Sequence, residues 1–245
     1  MAYESYNAYL SSIPNNHPDY YKETQQEFMD QQFANSINYR TIQKLDRNSN
    51  TLTDISVRII KPFEIATKDK VYADDYCQVS FGKLTDTVNN GDIFVFDNYR
   101  WMATETKAIS STFKHCLARR CNTELKFTAS TPLSSNILSL YGIAEIRSSD
   151  VTDEQYKIVP NAQMTVLIPY NNNAKLIKYD TKKGTRFLLG DPAQAWQIID
   201  VDSVTHVEVG ISNGVIDGYM VIKLTKVQKH PDDDLVNMVA WQPYF

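Results

Sequence analysis

From residue 39 onward, apolar and polar positions alternate with a period of two, the signature of half-buried strands. Ile55, Val57 and Ile59 alternate with Asp54, Ser56 and Arg58, and Pro62 closes that run. Cys77, Val79 and Phe81 alternate with Tyr76, Gln78 and Ser80. Asn89-Asn90-Gly91-Asp92 reads as a turn, followed by Ile93-Phe94-Val95-Phe96. Asp97-Asn98 then turns the chain into a strand that carries Trp101. Leu117 to Phe127 alternates again, with Leu117, Cys121, Leu125 and Phe127 assigned to one face. Thr131-Pro132-Leu133-Ser134-Ser135-Asn136 has linker composition. Beyond it the strand pattern resumes with Met164, Val166 and Ile168, with Phe187-Leu188-Leu189, with Trp196 to Val201 and with Tyr219 to Val227.

The first 38 residues follow a different rule. Tyr3, Tyr6, Leu10 and Ile13 recur at helical spacing until Pro14. A second stretch, from Tyr20 to Asn35, sets Tyr21, Phe28, Met29 and Phe33 on one face of a Gln- and Glu-rich background. This predicts a helical arm that needs a surface to pack on. The two halves of the body also rhyme. Gly91 leads through an apolar strand to Trp101, and Gly184 leads through Phe187-Leu188-Leu189 to Trp196. The reading is mainly β: an arm over 1–38, a first small barrel of the SH3 or OB sort over 39–133, and a second over 134–245. Trp101 and Trp196 are expected in equivalent core positions.

Composition narrows the chemistry. The chain has 245 residues, enough for two small domains. No apolar run reaches the length of a membrane helix, and the first residues lack the pattern of a secretory leader. Only 8 residues are glycine, which disfavours Gly-rich phosphate cradles. The cysteines (Cys77, Cys116, Cys121) are odd in number and suit reduced thiols. A net charge of -4 makes a poor wrapper of nucleic acid.

Sequence motifs for hydrolases, P-loops and zinc proteases are absent. His115, Cys116 and Cys121 lack the second ligand pair that zinc wants. Asp232-Asp233-Asp234 reads as a solvated turn in preference to a cation site. Lys107, Lys114, Arg119, Arg120 and Lys126, against Glu124 alone, form a basic stretch able to touch DNA or an acidic partner. The 15 tyrosines suit protein interfaces. Tyr3, Tyr6, Tyr9, Phe28 and Phe33 of the arm, with Trp241, Tyr244 and Phe245 of the tail, are the candidate contacts with neighbouring subunits.

Several segments in order resemble a family of virion proteins from tailed phages of Gram-positive hosts, of the head-tail connector (head-closure or adaptor) type. They are Val88 to Asp92 with the strand to Trp101, Leu117 to Asn122, Leu125 to Phe127, Val166 to Tyr170, Ile177 to Asp180, Lys183 to Leu188, Trp196 to Asp202, and His230 to Asp234. The resemblance spans about residues 40–240. It implies a non-enzymatic structural protein with no cofactor, metal or membrane contact. Such a protein is made in the bacterial cytoplasm and built into the neck of the virion as a homo-oligomeric ring. Its partners would be portal or adaptor and tail proteins, with DNA as passing cargo. The alternatives are a tail or baseplate component, or a carbohydrate- or nucleic-acid-binding β module.

Overall fold

The computed structural model describes residues 31–60, 75–81, 88–110, 113–128, 137–146, 163–177, 179, 184–209 and 216–242. Within these, thirteen strands form two barrels. β1 (Tyr39–Leu45), β2 (Leu52–Ile60), β3 (Tyr76–Phe81), β4 (Ile93–Phe96), β5 (Tyr99–Ser110) and β6 (Phe113–Arg120) close in the order β1-β2-β3-β6-β5-β4. Every pairing is antiparallel. Because β4 returns to lie beside β1, the winding is a Greek key.

β7 (Thr123–Thr128), β8 (Ile137–Ile146), β9 (Gln163–Pro169), β10 (Arg186–Leu189), β11 (Gln194–Asp202), β12 (Val207–Val209) and β13 (Ile216–Val227) make the second sheet. Its order is β10-β11-β13-β9-β8-β7, with β12 paired to β13 outside that path. Here β10 and β7 lie side by side without a ladder, their Phe187 and Phe127 rings edge-on at 5.9 Å. The second barrel is thus nearly closed.

The two orders superpose strand for strand: β7, β8, β9, β10, β11 and β13 repeat the winding of β1 to β6, and β12 is an addition. The repeat reaches single residues. Trp101 lies opposite Phe94, and Trp196 lies opposite Phe187. Three residues after each Trp the register slips, between Ala103 and Glu105 and between Ile198 and Asp200. Ala103 N–H donates to the Asp92 carbonyl at 2.8 Å, and Ile198 N–H donates to the matching Thr185 carbonyl at 3.1 Å. A bulge at the same place in both barrels re-aims the strand identically, so the rhyme in the sequence is a repeat of structure.

Period-two alternation explains both cores. Val57 and Ile59, Cys77, Val79 and Phe81, Phe94 and Phe96, Trp101 and Ala103, and Cys116 and Ala118 fill the first barrel. Leu125 and Phe127, Val166 and Ile168, Phe187, Trp196 and Ile198, and Met220, Ile222 and Leu224 fill the second. Two expectations need correction. On β6 the inward residues are Cys116 and Ala118, and Leu117 is only half-buried, because β6 ends before the chain changes sheets. The expected break at 133/134 also moves. β7 pairs with β8 as a hairpin, so the change of sheet falls between Arg120 and Thr123, ahead of the Thr131–Asn136 stretch. That stretch itself lies outside the described residues. Of the predicted arm, residues 31–34 are helical and the preceding part lies outside the described residues.

A third cluster belongs to both barrels: Ile93 and Met102 from the first, Ile143 and Tyr219 from the second, flanked by Leu45, Cys121, Leu167 and Val221. Backbone meets backbone beside it. Gly91 and Gly218 both have positive φ, and a Cβ on Gly91 would lie 2.1 Å from the Gly218 carbonyl oxygen. Only glycine permits that approach. Gly91→Ala is therefore expected to cost about 3 kcal/mol through left-handed strain and overpacking, read as a lower urea midpoint. An unchanged midpoint would show that the barrels do not meet there.

Candidate functional site: the barrel seam, the basic strands and the C-terminal staple

The seam is tied by side chains as well as by its core. Arg100 lays its guanidinium over the Tyr141 ring at 3.8 Å from the centroid. Burial pushes the Tyr141 phenol above its usual range, and Glu124 adds to the rise. Arg119 pairs with Glu145 and also lies over Tyr76. Asn122 bonds the Ala144 backbone twice, donating to its carbonyl at 2.9 Å and accepting from its N–H at 2.7 Å. In the first barrel, the buried Asp92 carboxylate holds Lys44 at 2.8 Å and Arg47 at 2.7 Å. It also accepts from the Asn89 N–H, which fixes the turn that delivers Gly91 to the seam. Buried charges survive only when paired and bonded in this way.

These contacts take up part of the basic stretch, and Lys126 pairs with Glu124. Arg119 is committed to Glu145 and Tyr76, and Arg120 to Asp75 and Tyr99. Lys114 is half-buried on β6, and Lys107 sits on β5 opposite His115. The two arginines thus weld the protein to itself in place of facing phosphates.

The zinc candidates do not converge. Cys116 points into the first barrel, where burial pushes its thiol up strongly. Cys121 packs into the seam cluster, and burial pushes its thiol up to about 12. Among the described residues no three His, Cys, Asp or Glu side chains gather for a metal. A chelator should leave the melting temperature where it was; a drop on adding it, with zinc found in elemental analysis, would overturn that expectation.

The acidic turn is solvated at Asp232 and Asp234, as its composition suggests, but not at Asp233. Asp233 is buried and faces Arg186, itself buried on β10. Arg186 donates to the Trp241 carbonyl at 3.0 Å and to the Gln228 carbonyl at 2.9 Å. Asp233 accepts from the Trp241 N–H at 2.8 Å and from the His230 N–H at 2.8 Å. The Gln242 amide then reaches the open edge of β10. Its oxygen accepts from the Arg186 N–H and its nitrogen donates to the Arg186 carbonyl, both at 2.9 Å. An amide side chain thus stands in for a neighbouring strand. Trp241 stacks on His230 at 4.2 Å, and Ala240 packs on Leu188 and Ala195. Residues 240–242 form a staple on their own barrel.

Of the eight aromatics nominated for neighbours, Phe33 and Trp241 are described. Phe33 is buried at 4% exposure, edge-on to Tyr39 with Arg58 over its ring. Both therefore serve their own chain. Tyr3, Tyr6, Tyr9, Phe28, Tyr244 and Phe245 lie outside the described residues. Sequence reasoning misses Arg186 and Gln242. Arg186 opens an otherwise apolar run, and that one buried-looking charge is the available signal; Gln242 offers none.

No curated protein and no solved structure matches the chain significantly. One family model does, over residues 98–225, from the turn before β5 to near the end of β13. That span takes in β5 and β6 of the first barrel and almost all of the second barrel, so the chain belongs to the YomX C-terminal domain family.

Proposed function

We propose that the protein is a non-enzymatic structural component of a phage particle, seated as a ring at the head-to-tail junction between portal side and tail side. The observation that carries this reading is the welded pair of barrels. Two equally wound units share a core cluster, a glycine-glycine backbone contact and cross-seam arginine pairs. Such a unit transmits load without bending, as a spacer in a particle must. A flexible tether would be expected of two independent binding modules. In the same reading each barrel is an enlarged small barrel of the SH3 or OB sort, six strands where an OB fold has five.

Charge supports the same reading. The chain is acidic overall, and Arg119 and Arg120 are engaged internally, so DNA would pass it without being gripped. Trp101 and Trp196 are 3% and 4% exposed, which removes them as sugar-stacking platforms. Folding in the bacterial cytoplasm before incorporation fits free thiols that burial keeps protonated. Cryo-EM of the particle tests the proposal: density for the two barrels in the neck is the expected result. Placement of the chain in the tail or baseplate, or its absence from purified particles, would overturn it.

A further inference from the structure

We infer that Arg58 is the centre of a carboxylate-binding site on the outer face of the first barrel, in the concavity between β2 and the helical turn at residues 31–34.

Period-two alternation sends Val57 and Ile59 into the core and turns Arg58 outward. Its neighbours across the sheet on that face are Tyr39 on β1 and Ser80 on β3, and neither can neutralise a guanidinium. Among the described residues no carboxylate pairs with Arg58, and its Nε is buried without a hydrogen-bond partner. Its guanidinium lies instead over the Phe33 ring, with Cζ 5.9 Å from the centroid. Arg40, Arg47, Arg119, Arg120 and Arg186, by contrast, each meet a carboxylate. Ser80, at 1% exposure, also keeps its hydroxyl buried without a partner. Residues directly opposite on antiparallel strands hold their Cβ atoms about 5 Å apart, so one bound group can accept from both. A buried donor without an acceptor carries an uncompensated desolvation cost. Two of them side by side point to a ligand that accepts.

The concavity has the matching chemistry. Gln31, Gln32, Asn35 and Ser36 line it together with Arg58, around a space of about 330 Å³. That is roughly ten times the share of one water in the liquid, so a group the size of an acidic side chain fits. The lining is amide, hydroxyl and guanidinium, without an acid. The Ser36 hydroxyl accepts from the Asn38 N–H at 3.4 Å and keeps its own proton to donate. One cation among neutral donors suits a single negative charge, and the planar fork of arginine matches a carboxylate with two parallel bonds. A doubly charged phosphate would lack a second cation here. The buried Phe33 ring steadies the guanidinium, which leaves less freedom to lose on binding. The carboxylate belongs either to a free acid or to an acidic side chain of another chain.

The test uses the full chain, with sodium acetate as the probe and ionic strength held constant with chloride. The Nε–H signal of Arg58 in a proton–nitrogen correlation spectrum, identified by its loss in Arg58→Lys, should move saturably as acetate is added. Sodium phosphate at the same ionic strength should bind about tenfold more weakly, for want of the second cation. Acetate should also raise the melting temperature of the wild type but not that of Arg58→Met. Without acetate, Arg58→Met should melt no lower than the wild type, because it removes an unpaired and partly buried charge. A signal that stays in place under acetate, or that moves equally under chloride, overturns the site. Tighter saturation by phosphate overturns the carboxylate assignment. An Arg58→Met that melts well below the wild type makes Arg58 a structural cover for Phe33 and overturns the site as well. Raising the protein concentration without acetate separates the sources. A shift of the same signal together with a gain in sedimenting mass puts the carboxylate on a second copy, and an unmoved signal assigns it to a free acid or a different chain; either result keeps the site.

Discussion

Trp101→Ala and Trp196→Ala are each expected to lose about 3–5 kcal/mol of stability, the cost of emptying a packed aromatic site. Trp101 stacks on Phe96 at 5.0 Å with the rings 5° apart, and it lies across from Phe94 in the sheet. Trp196 holds the matching place against Phe187. A milder change separates ring packing from the indole nitrogen. Trp101 Nε1 is buried without a hydrogen-bond partner among the described residues. Such a donor carries an uncompensated desolvation cost, so Trp101→Phe regains part of what the smaller ring loses. It should cost about 1–2 kcal/mol, well below alanine. Urea unfolding followed by circular dichroism measures all three. Because the barrels share the cluster of Ile93, Met102, Ile143 and Tyr219, both alanine variants should shift one common transition. Two separate transitions, one unmoved in each variant, would mean that the barrels unfold independently.

Alternation alone makes the cores legible. Val57, Ile59, Val79, Phe81, Val166 and Ile168 are all where a period of two puts them, because one face of each strand meets solvent and the other does not. The Gly-strand-Trp repeat is legible for the same reason, since core registers constrain residue types in both barrels. The failures are local. Carrying one alternation from Leu117 through Cys121 to Phe127 puts Leu117 on the inward face, as if one strand ran on, yet β6 ends and β7 begins inside that stretch. Sheet switching leaves no trace in periodicity. The closure of the first barrel, with β4 returning to β1, depends on pairings between residues far apart in sequence.

The candidate site is legible only in part. Residue type singles out Arg119 and Arg120, but type does not say that Glu145, Asp75, Tyr76 and Tyr99 already hold them. Terminal position makes Trp241 look available to a neighbour. Its decisive partner is Arg186, some fifty residues earlier, and a lone cation at the head of an apolar strand does not announce which carboxylate it will meet.

Removing residues 241–245 is expected to lower the melting temperature, against the expectation that terminal position alone suggests. The truncation takes away the Gln242 amide, which satisfies both the N–H and the carbonyl of Arg186 at the unladdered edge of β10. It also removes the Trp241 carbonyl that accepts from the Arg186 guanidinium, and the ring that covers His230. With net hydrogen-bond contributions of about 1 kcal/mol each, the loss is about 3 kcal/mol. That corresponds to a fall of roughly 6–12 °C for a chain of this size. Asp233→Ala should do at least as much, about 3–5 kcal/mol, because it strands a buried arginine whose carboxylate partner is gone. Arg186→Met with Asp233→Leu is the informative control. Replacing both ions with apolar groups of similar size should recover much of the single-mutant loss, since desolvation of the pair offsets most of its attraction. Differential scanning calorimetry of the four proteins decides the matter. If the truncated chain melts with the full-length one, the staple contributes nothing to the barrel, and Trp241 is free after all to meet a neighbour.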